Sequence, residues 1–471
     1  SATTGLLKVG VNPGRDSRLE LSHQFYDSDN LAPNNPLVGR YKKTTDTLSI
    51  PFLQPTHVNQ YNTVLKAASG DADGIDGPRL EGSLYQSYLK VILDPYATNP
   101  AYANAATTNY ALTKTRTDGA SFQLTRTLGD HRLLAGVDMF KDMLDSRSGT
   151  AVNSVNPAGQ RKGTGAFVQD EIKLAGQWKI VPTLRYDEYD ASALNSTQAK
   201  NSENRLSPKA TLSWGNDDRL MVYGSYGEGF RAPAVNELYE SSRIGTFSWF
   251  LPNASLKPEI DKTVEAGAKS TLRNLLAEGD ALKLRAAVFH SKVQDLISYI
   301  NLGSIPKPPN PNTASCATTG LGCQYQYQNV QNARREGAEL EAGYLRGLWQ
   351  VDAAYGRVRV TNTDTGENLF SPPDKLSLQV RRRLPDQGLS VLWNSTIVAA
   401  QDYDSTVLRR RAGYPVHDLF ATWTPSGQKY RVDAGITNLF DHGYVVYQSS
   451  NAYAYTYQEG RSVKVAVSVD F

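Results

Sequence analysis

The sequence predicts an all-β protein, a transmembrane antiparallel β-barrel. Three observations lead to this prediction: side chains alternate between apolar and polar along many segments, no segment could form a membrane helix, and short and long connections take turns along the chain. The mean hydropathy is −0.45. A barrel accommodates such a low value because only every second side chain of each strand faces lipid.

The alternation is clearest at the end of the chain. One face of this segment is apolar and consists of Val463, Val465, Val467, Val469 and Phe471. The other face carries Lys464, Ser468 and Asp470. The same period of two recurs over residues 178–187 and 431–436. A period of two with one apolar face is typical of β-strands.

Helical membrane spans are excluded by the sequence. Such a span needs about 20 consecutive apolar residues, and the sequence contains no run of that length. The chain begins at Ser1 without a charged segment followed by an apolar stretch. We therefore expect any signal peptide to be removed or to lie outside this sequence.

Connections of two kinds separate the predicted strands. The tight links are rich in turn residues and cover residues 13–16, 129–130, 216–218, 386–388 and 426–429. The long links cover residues 28–56, 94–108, 146–160, 232–260, 302–324, 403–413 and 448–460. Outer-membrane barrels have short turns on the periplasmic side and long loops outside, which explains this pattern.

The connections divide the chain into about 19 strands, all within a single barrel over residues 1–471. Complete bacterial barrels of one chain have an even number of strands. An odd number predicts that the barrel is incomplete at its N-terminal side. We expect at least one strand, and three in a barrel of the 22-stranded type, to precede Ser1.

Composition excludes other classes of protein. With 50 basic and 47 acidic residues the formal net charge is +3, which gives no basic surface for nucleic acid. Cys316 and Cys323 predict a small disulfide in a surface loop and an oxidising compartment; the alternative is two unpaired thiols. No His lies near them, so we expect no metal site there. The scattered His residues form no Ser/His/acid set, and we expect no enzyme.

Several segments, in this order, resemble the TonB-dependent outer-membrane receptors. GTGAFVQDEIKLAGQWKIVPTLRYDEYD, at 163–190, is similar to a hairpin of that family. YGSYGEGFRAPAVNELYE follows at 223–240 and LPNASLKPE at 251–259. NARREGAELEAGY at 332–344, GITNLFDHGYVVY at 435–447 and the terminal Phe471 complete the resemblance. Two family boxes fall on Phe230, Arg231, Ala232 and Pro233, and on Pro252, Asn253 and Leu256, the second departing slightly from the family's Asn-Pro-Asn-Leu order.

The resemblance implies a 22-stranded barrel in the outer membrane of a Gram-negative bacterium. It also implies an N-terminal plug domain and a box that couples to the TonB complex, neither of which is in this sequence. Outer-membrane lipid and lipopolysaccharide are further implied partners. Residues 409–411 are three consecutive Arg, which we interpret as contacts to lipopolysaccharide or to bulk solvent.

The two boxes resemble those of the haem and haemoglobin receptor branch, whose loop between the boxes commonly carries a His that ligates haem iron. Here no His lies between Arg231 and Glu259. Tyr239 is the one Tyr in that interval and becomes the candidate ligand, since a phenolate can bind ferric haem. The alternative is that Tyr239 packs against the rim of the barrel.

Other residues of the same loop suit a haem ligand or a carrier protein. The side chains that could stack on a porphyrin, pair with its propionates or anchor a protein are Arg243, Phe247, Trp249 and Phe250. His57 and His290 are weaker candidates for a haem ligand.

The leading hypothesis is active import of haem, taken up free, from haemoglobin or from a carrier protein, with no permanently bound cofactor. Two alternatives remain open: import of a ferric siderophore by the same machinery, and a passive porin or adhesin barrel.

Overall fold

A computed structural model describes residues 2–33, 53–93, 111–148, 151–152, 157–194, 197–216, 219–241, 243–244, 248–305, 322–369, 371–401, 411–427, 429–446 and 458–469. The strands are β1 (Ala2–Gly14), β2 (Ser17–Pro33), β3 (Leu53–Ser69), β4 (Arg79–Leu93), β5 (Ala111–Leu128), β6 (His131–Ser148), β7 (Ala151–Val152), β8 (Gly159–Lys173), β9 (Trp178–Ala193), β10 (Asn201–Gly215), β11 (Leu220–Arg231), β12 (Arg243–Ile244), β13 (Ser248–Leu251), β14 (Glu259–Arg273), β15 (Asp280–Ile305), β16 (Gly322–Arg346), β17 (Trp349–Asn362), β18 (Lys375–Leu384), β19 (Leu389–Val398), β20 (Tyr414–Trp423), β21 (Tyr430–Thr437) and β22 (Ser462–Val469). One α-helix, α1 (Val235–Tyr239), and two 3₁₀ turns, Ala175–Gln177 and Pro385–Gln387, complete the described elements.

Of these 22 strands, three are segments of two to four residues, β7, β12 and β13, and the remaining 19 are eight residues or longer. Each long strand pairs antiparallel with the next long strand, from β1 with β2 to β21 with β22. This up-and-down meander confirms the predicted all-β antiparallel architecture. No helix within the described ranges is long and apolar enough to cross a membrane.

Within the described residues, the predicted turns fall between strands, as the sequence indicated, and several strands extend further than the sequence indicated. Gly129 and Asp130 join β5 to β6, and Gly388, whose φ is 61°, ends the turn between β18 and β19. Glycine suits this left-handed conformation because it has no Cβ. The long link predicted from residue 302 starts later, because β15 continues to Ile305.

The two faces of the sheet differ in chemistry, as the alternation predicted. Val463, Val465 and Val467 are 68%, 66% and 63% exposed on one face of β22. The opposite face of the meander carries ion pairs, such as Arg185 with Asp138 at 2.8 Å and with Asp187 at 2.6 Å. An apolar outside and a charged inside are the arrangement of a membrane barrel, so we call the charged side the lumenal face and the apolar side the outer face.

A small buried core lies at the end of the sheet that carries the long connections. Its members are Ala191, Leu238, Tyr239, Leu256 and Ile297. Three of these residues come from the connection between β11 and β14 or from its helix, so this core attaches that connection to the barrel.

Candidate functional site

The described residues between β11 and β14, which are 232–241, 243–244 and 248–258, fold back onto the barrel, and we call them the rim platform. Pro233 is fully buried, and α1 follows it directly. The Ala234 N–H donates to Glu237 Oε2 at 2.7 Å, which satisfies one of the free donors at the start of this short helix. Leu238 and Leu256 have no exposed surface. Burial of these two side chains holds the described part of the platform on the strands beneath it.

Asn253 joins three parts of the structure. Its backbone N–H donates to the Leu238 carbonyl at 2.8 Å, and its side-chain Nδ2 donates to the Tyr327 carbonyl at 2.8 Å. Asn201 makes a similar link from β10, with Nδ2 donating to the Leu256 carbonyl at 2.9 Å. Amide side chains that bond to backbone groups substitute here for regular strand pairing. We call Asn253 and Asn201 the clamp, because their hydrogen bonds hold the second family box against β16 and β10.

The first box supplies an ion-pair network to the same unit. Arg231 donates to both carboxylate oxygens of Glu259 at 2.8 Å and to Glu237 at 2.8 Å. Glu259 also accepts the backbone N–H of Ile297 at 2.8 Å. A bidentate Arg–carboxylate pair has a fixed geometry. Arg231 consequently orients α1 relative to β14 and β15.

The strand β13 adds to the free edge of β16, parallel to it, with Phe250 opposite Tyr325. Phe250 stacks on Tyr325 with ring centroids 5.4 Å apart and lies 6.2 Å from Tyr299 and 6.4 Å from Tyr327. We call these four residues the aromatic cluster. Tyr299 is 48% exposed, so the cluster presents ring surface as well as packing internally.

Below the platform, on the lumenal face, lies a cavity of about 720 Å³. Its charged lining residues are Arg231, Glu259, Asp261 and Arg335. Asp261 and Arg335 form an ion pair. Its apolar lining consists of Phe230, Val293, Leu296, Ile297, Ile300, Val360 and Leu369. A cavity of this size with apolar walls and a few charged groups suits a small organic ligand that carries charge.

Tyr239, the candidate iron ligand, is buried. It is 3% exposed, and its hydroxyl donates to the carbonyls of Ala191 at 2.9 Å and Ala199 at 3.0 Å. Burial raises the pKa of the Tyr239 phenol, which disfavours the phenolate that iron would need. This geometry matches the packing alternative, in which Tyr239 fastens α1 to β9.

Replacing Tyr239 by Phe tests the two interpretations. If the full-length protein binds haem as the sequence predicts, we expect the Soret band to be the same with and without the substitution, because the Tyr239 hydroxyl contacts backbone carbonyls. The lost hydrogen bonds should lower local stability by about 1 kcal/mol, measured as faster amide exchange in α1. A shift of the Soret band with unchanged exchange would assign Tyr239 to the iron.

The other predicted loop residues divide into described and undescribed ones. Trp249 and Phe250 lie on β13, and the backbone of Arg243 pairs with that of Trp249. The Arg243 side chain and the whole of Phe247 lie outside the described part of the structure. Cys316, and with it the predicted disulfide, also lies outside; the backbone of its partner Cys323 lies on β16.

His57 and His290 both lie on the outer face, away from the cavity. His290 lies on the same face of β15 as Val288, which is 57% exposed. The distance between His290 Nδ1 and Glu336 Oε1 is 2.9 Å. His57 Nδ1 is 2.8 Å from Asp29 Oδ1 on the neighbouring strand. The donor atoms of Asp27, Asp29 and His57 lie within 4.8 Å of one another, the one such group among the described residues.

A family profile described as "TonB dependent receptor-like, beta-barrel" matches residues 6–439. The chain belongs to this family. It is accordingly an outer-membrane β-barrel of a Gram-negative bacterium, and the resemblance noted in the sequence is confirmed.

Among the curated relatives of this TonB-dependent receptor, Heme/hemopexin utilization protein C of Haemophilus influenzae strain Rd is 27% identical over 99% of the chain and 70% of the relative. The same protein from strain 86-028NP is 30% identical over 76% of the chain. The Hemin receptor of Yersinia enterocolitica is 25% identical over 96% of the chain and 63% of the relative. The receptor chain spans 51% of the strain 86-028NP protein, so it corresponds to part of such proteins.

Two solved structures share the fold of the receptor. The Serratia marcescens hemophore receptor HasR, in complex with its hemophore HasA and heme, superposes with a TM-score of 0.72 at 20% identity, over 99% of this chain and 71% of HasR. The copper transporter OprC gives a TM-score of 0.75 at 18% identity, over 99% of this chain and 74% of OprC.

Proposed function

We propose that the receptor imports haem across the outer membrane, with energy from the TonB complex. The observation that carries the proposal is the similarity, over nearly the whole chain, to a protein named for haem and haemopexin utilization. Haem would be the transported ligand rather than a resident cofactor, and the receptor would catalyse no reaction. The aromatic cluster at the rim would serve as the contact both for haem that arrives free and for haem that arrives on a carrier protein.

The aromatic cluster is the proposed first contact for haem at the rim. A porphyrin is a flat apolar ring with two carboxylates, so ring stacking and cationic partners recognise it. Phe250 and Tyr325 supply a stacked pair of rings beside the platform. Trp249 lies next to Phe250 on β13, and Arg243 and Phe247 stay predictions from the sequence. The lumenal cavity lined by Arg231 and Arg335 would receive haem after the rim.

The experiment uses the full-length receptor in a Gram-negative host that cannot synthesise haem. We expect growth on haem when the host has TonB and no growth when TonB is deleted, because active import needs the energised inner membrane. Growth without TonB would indicate a passive barrel. In an iron-starved host that makes its own haem, growth promotion by a ferric siderophore, with no Soret change on adding haem to the purified receptor, would assign the siderophore alternative.

The double variant Phe250→Ala/Tyr325→Ala tests the rim contact. Loss of two stacking rings should weaken haem binding about ten-fold or more, at about 0.5–1.5 kcal/mol for each aromatic contact beyond buried area. A matched control is Tyr61→Ala/Tyr88→Ala, which removes another stacked pair, with centroids 4.8 Å apart. That pair lies on the outer face. Equal effects of the two variants would refute a role of the aromatic cluster in haem binding.

A further inference from the structure

Aromatic residues and glycines alternate in one row that crosses five neighbouring strands of the barrel wall. Tyr85 on β4 lies directly opposite Gly119 on β5, and Gly119 lies opposite Phe140 on β6. Phe140 lies opposite Gly163 on β8, and Gly163 lies opposite Tyr189 on β9. We call these residues the aromatic row. The row is a product of strand register, because its members are far apart in the sequence.

The aromatic row lies on the lumenal face of the wall. Leu84 and Met139, which directly precede Tyr85 and Phe140, are 57% and 52% exposed on the outer face. Successive side chains of a strand point to opposite faces of the sheet. Tyr85 and Phe140 therefore point into the lumen, and the residues directly opposite them share that face.

The glycines give the rings room to lie across the wall. A Cβ on Gly119 would overlap the Tyr85 ring, and a Cβ on Gly163 would overlap the Phe140 ring and lie 3.0 Å from Tyr189 Cε1. Glycine fits under these rings because it has no side chain. The rings consequently lean over the backbone of the neighbouring strand and line the lumen with aromatic surface.

The aromatic row continues to the cavity below the rim platform. Phe140 is in edge contact with Tyr189, with ring centroids 5.9 Å apart. Tyr189 makes the same kind of contact with Phe230 at 5.4 Å, and Phe230 lines the cavity. Ala191, on the same face of β9 as Tyr189, accepts a hydrogen bond from Tyr239 of the platform. The row therefore begins beside the cavity, under the platform, and runs around the wall from β9 to β4.

Charged residues border the aromatic row on both sides. On the extracellular side, the Arg161 guanidinium lies 5.2 Å from the centroid of the Phe140 ring and donates to Asp142 at 2.9 Å. On the periplasmic side lie the ion pairs of Arg185 described above. A guanidinium carries several N–H donors, so Arg161 can bind a further carboxylate beside Asp142. A ligand that combines a flat aromatic ring with carboxylates fits this arrangement.

We propose that the aromatic row is a second porphyrin site, inside the lumen, which haem reaches from the rim through the cavity. This inference rests on the proposed import of haem. The faces of a porphyrin stack on aromatic side chains, and Arg161 pairs with a propionate. Similar ring contacts follow one another from Phe230 to Tyr85, so haem moves along the wall without losing aromatic contact.

The test separates haem bound at the cell surface from haem taken up, using the full-length receptor in the haem-requiring host and haem labelled with radioactive iron. The variant Tyr85→Leu/Phe140→Leu/Tyr189→Leu keeps apolar side chains in the row and removes its rings. Surface binding should stay unchanged, because the aromatic cluster at the rim is intact. TonB-dependent uptake should be about ten-fold slower or more. The variant Tyr85→Phe/Tyr189→Phe keeps the rings and should take up haem at the unmodified rate.

The matched control is Phe167→Leu/Tyr223→Leu/Phe289→Leu, which removes the same number of rings from the lumenal face outside the row. Like the row members, these rings lie over glycines, which are Gly136, Gly267 and Gly337. We expect surface binding and uptake of haem to stay unchanged in this control.

Uptake at the unmodified rate in the Leu variant of the row would overturn the lumenal site and leave the import of haem in place. An equal loss of uptake in the control would also overturn it, since any lumenal ring would then serve. A parallel loss of surface binding would move the row to the first contact and overturn its lumenal role. No uptake by the unmodified receptor would overturn the proposed function and this site together.

Heat-modifiable migration in gels checks that every variant has folded. If the triple variant of the row does not fold, Phe140→Leu alone should slow uptake about three-fold, because it removes the central ring contact. An unchanged rate in that single variant would overturn the site.

Discussion

Replacing Leu256 by Ala is expected to release the rim platform while the barrel beneath it stays folded. Leu256 has no exposed surface and packs in the core with Leu238, Tyr239 and Ile297. Truncating a fully buried leucine costs about 2–5 kcal/mol. The strands pair with one another through their own backbones, so this loss falls on the contacts between platform and barrel.

Limited proteolysis measures this release. Chymotrypsin should cut after Tyr239, which is buried in the intact platform, at least about 30-fold faster in the Leu256→Ala receptor, since 1.4 kcal/mol corresponds to a factor of ten in an opening equilibrium. Leu284→Ala is the matched control, because Leu284 is 38% exposed on the outer face of β15. An unchanged cutting rate at Tyr239 would mean that the clamp formed by Asn253 and Asn201 suffices without the buried leucine. We also expect haem-dependent growth to decline with platform release.

The second large effect is expected for Arg185→Leu in the barrel wall. Arg185 contacts Asp138 at 2.8 Å and Asp187 at 2.6 Å, and the Asp187 side chain is 8% exposed. Removing the cation leaves two facing carboxylates without a partner. Breaking a buried ion pair costs about 3–5 kcal/mol, and the partial exposure of Arg185 reduces this to about 2–3 kcal/mol.

Urea unfolding of the receptor in detergent measures the effect of Arg185→Leu. The unfolding transition should move to a lower urea concentration. Adding Asp138→Asn and Asp187→Asn should restore much of the lost free energy of unfolding, because these changes remove the two carboxylate charges that have no partner. Arg285→Leu is the control, because the Arg285–Glu341 pair, at 3.3 Å, is 69% and 56% exposed and should contribute little. Equal shifts for the two Arg variants would contradict the role of burial.

The strand pattern could be predicted because each strand shows an alternation of apolar and polar side chains among residues that are adjacent in the sequence. Alternation over residues 178–187 is visible in ten letters of sequence, and the structure has Leu184 and Tyr186 exposed on one face and Arg185 in an ion pair on the other. The number of long strands followed from the same local signals and from turn residues.

The roles of the two family boxes could not be predicted from the same signals. In the sequence Tyr239 is the one Tyr between the two boxes, which made it a candidate ligand. In the structure the Tyr239 hydroxyl donates hydrogen bonds to the carbonyls of Ala191 and Ala199, which lie 48 and 40 residues earlier in the chain. The aromatic cluster was missed, although the alternating Tyr325 and Tyr327 marked one face of a strand; their contact with Phe250 needs the parallel pairing of β13 with β16.

The sequence by itself determined the class of the protein, its strand-by-strand alternation and its family, because a period of two and short motifs involve residues that are neighbours in the chain. The tertiary structure decided which residues meet: Phe250 with Tyr325, and Asn253 with Tyr327. These contacts depend on the register between strands and on how a long connection folds back. No local propensity encodes either, since both are set by packing between residues far apart in sequence.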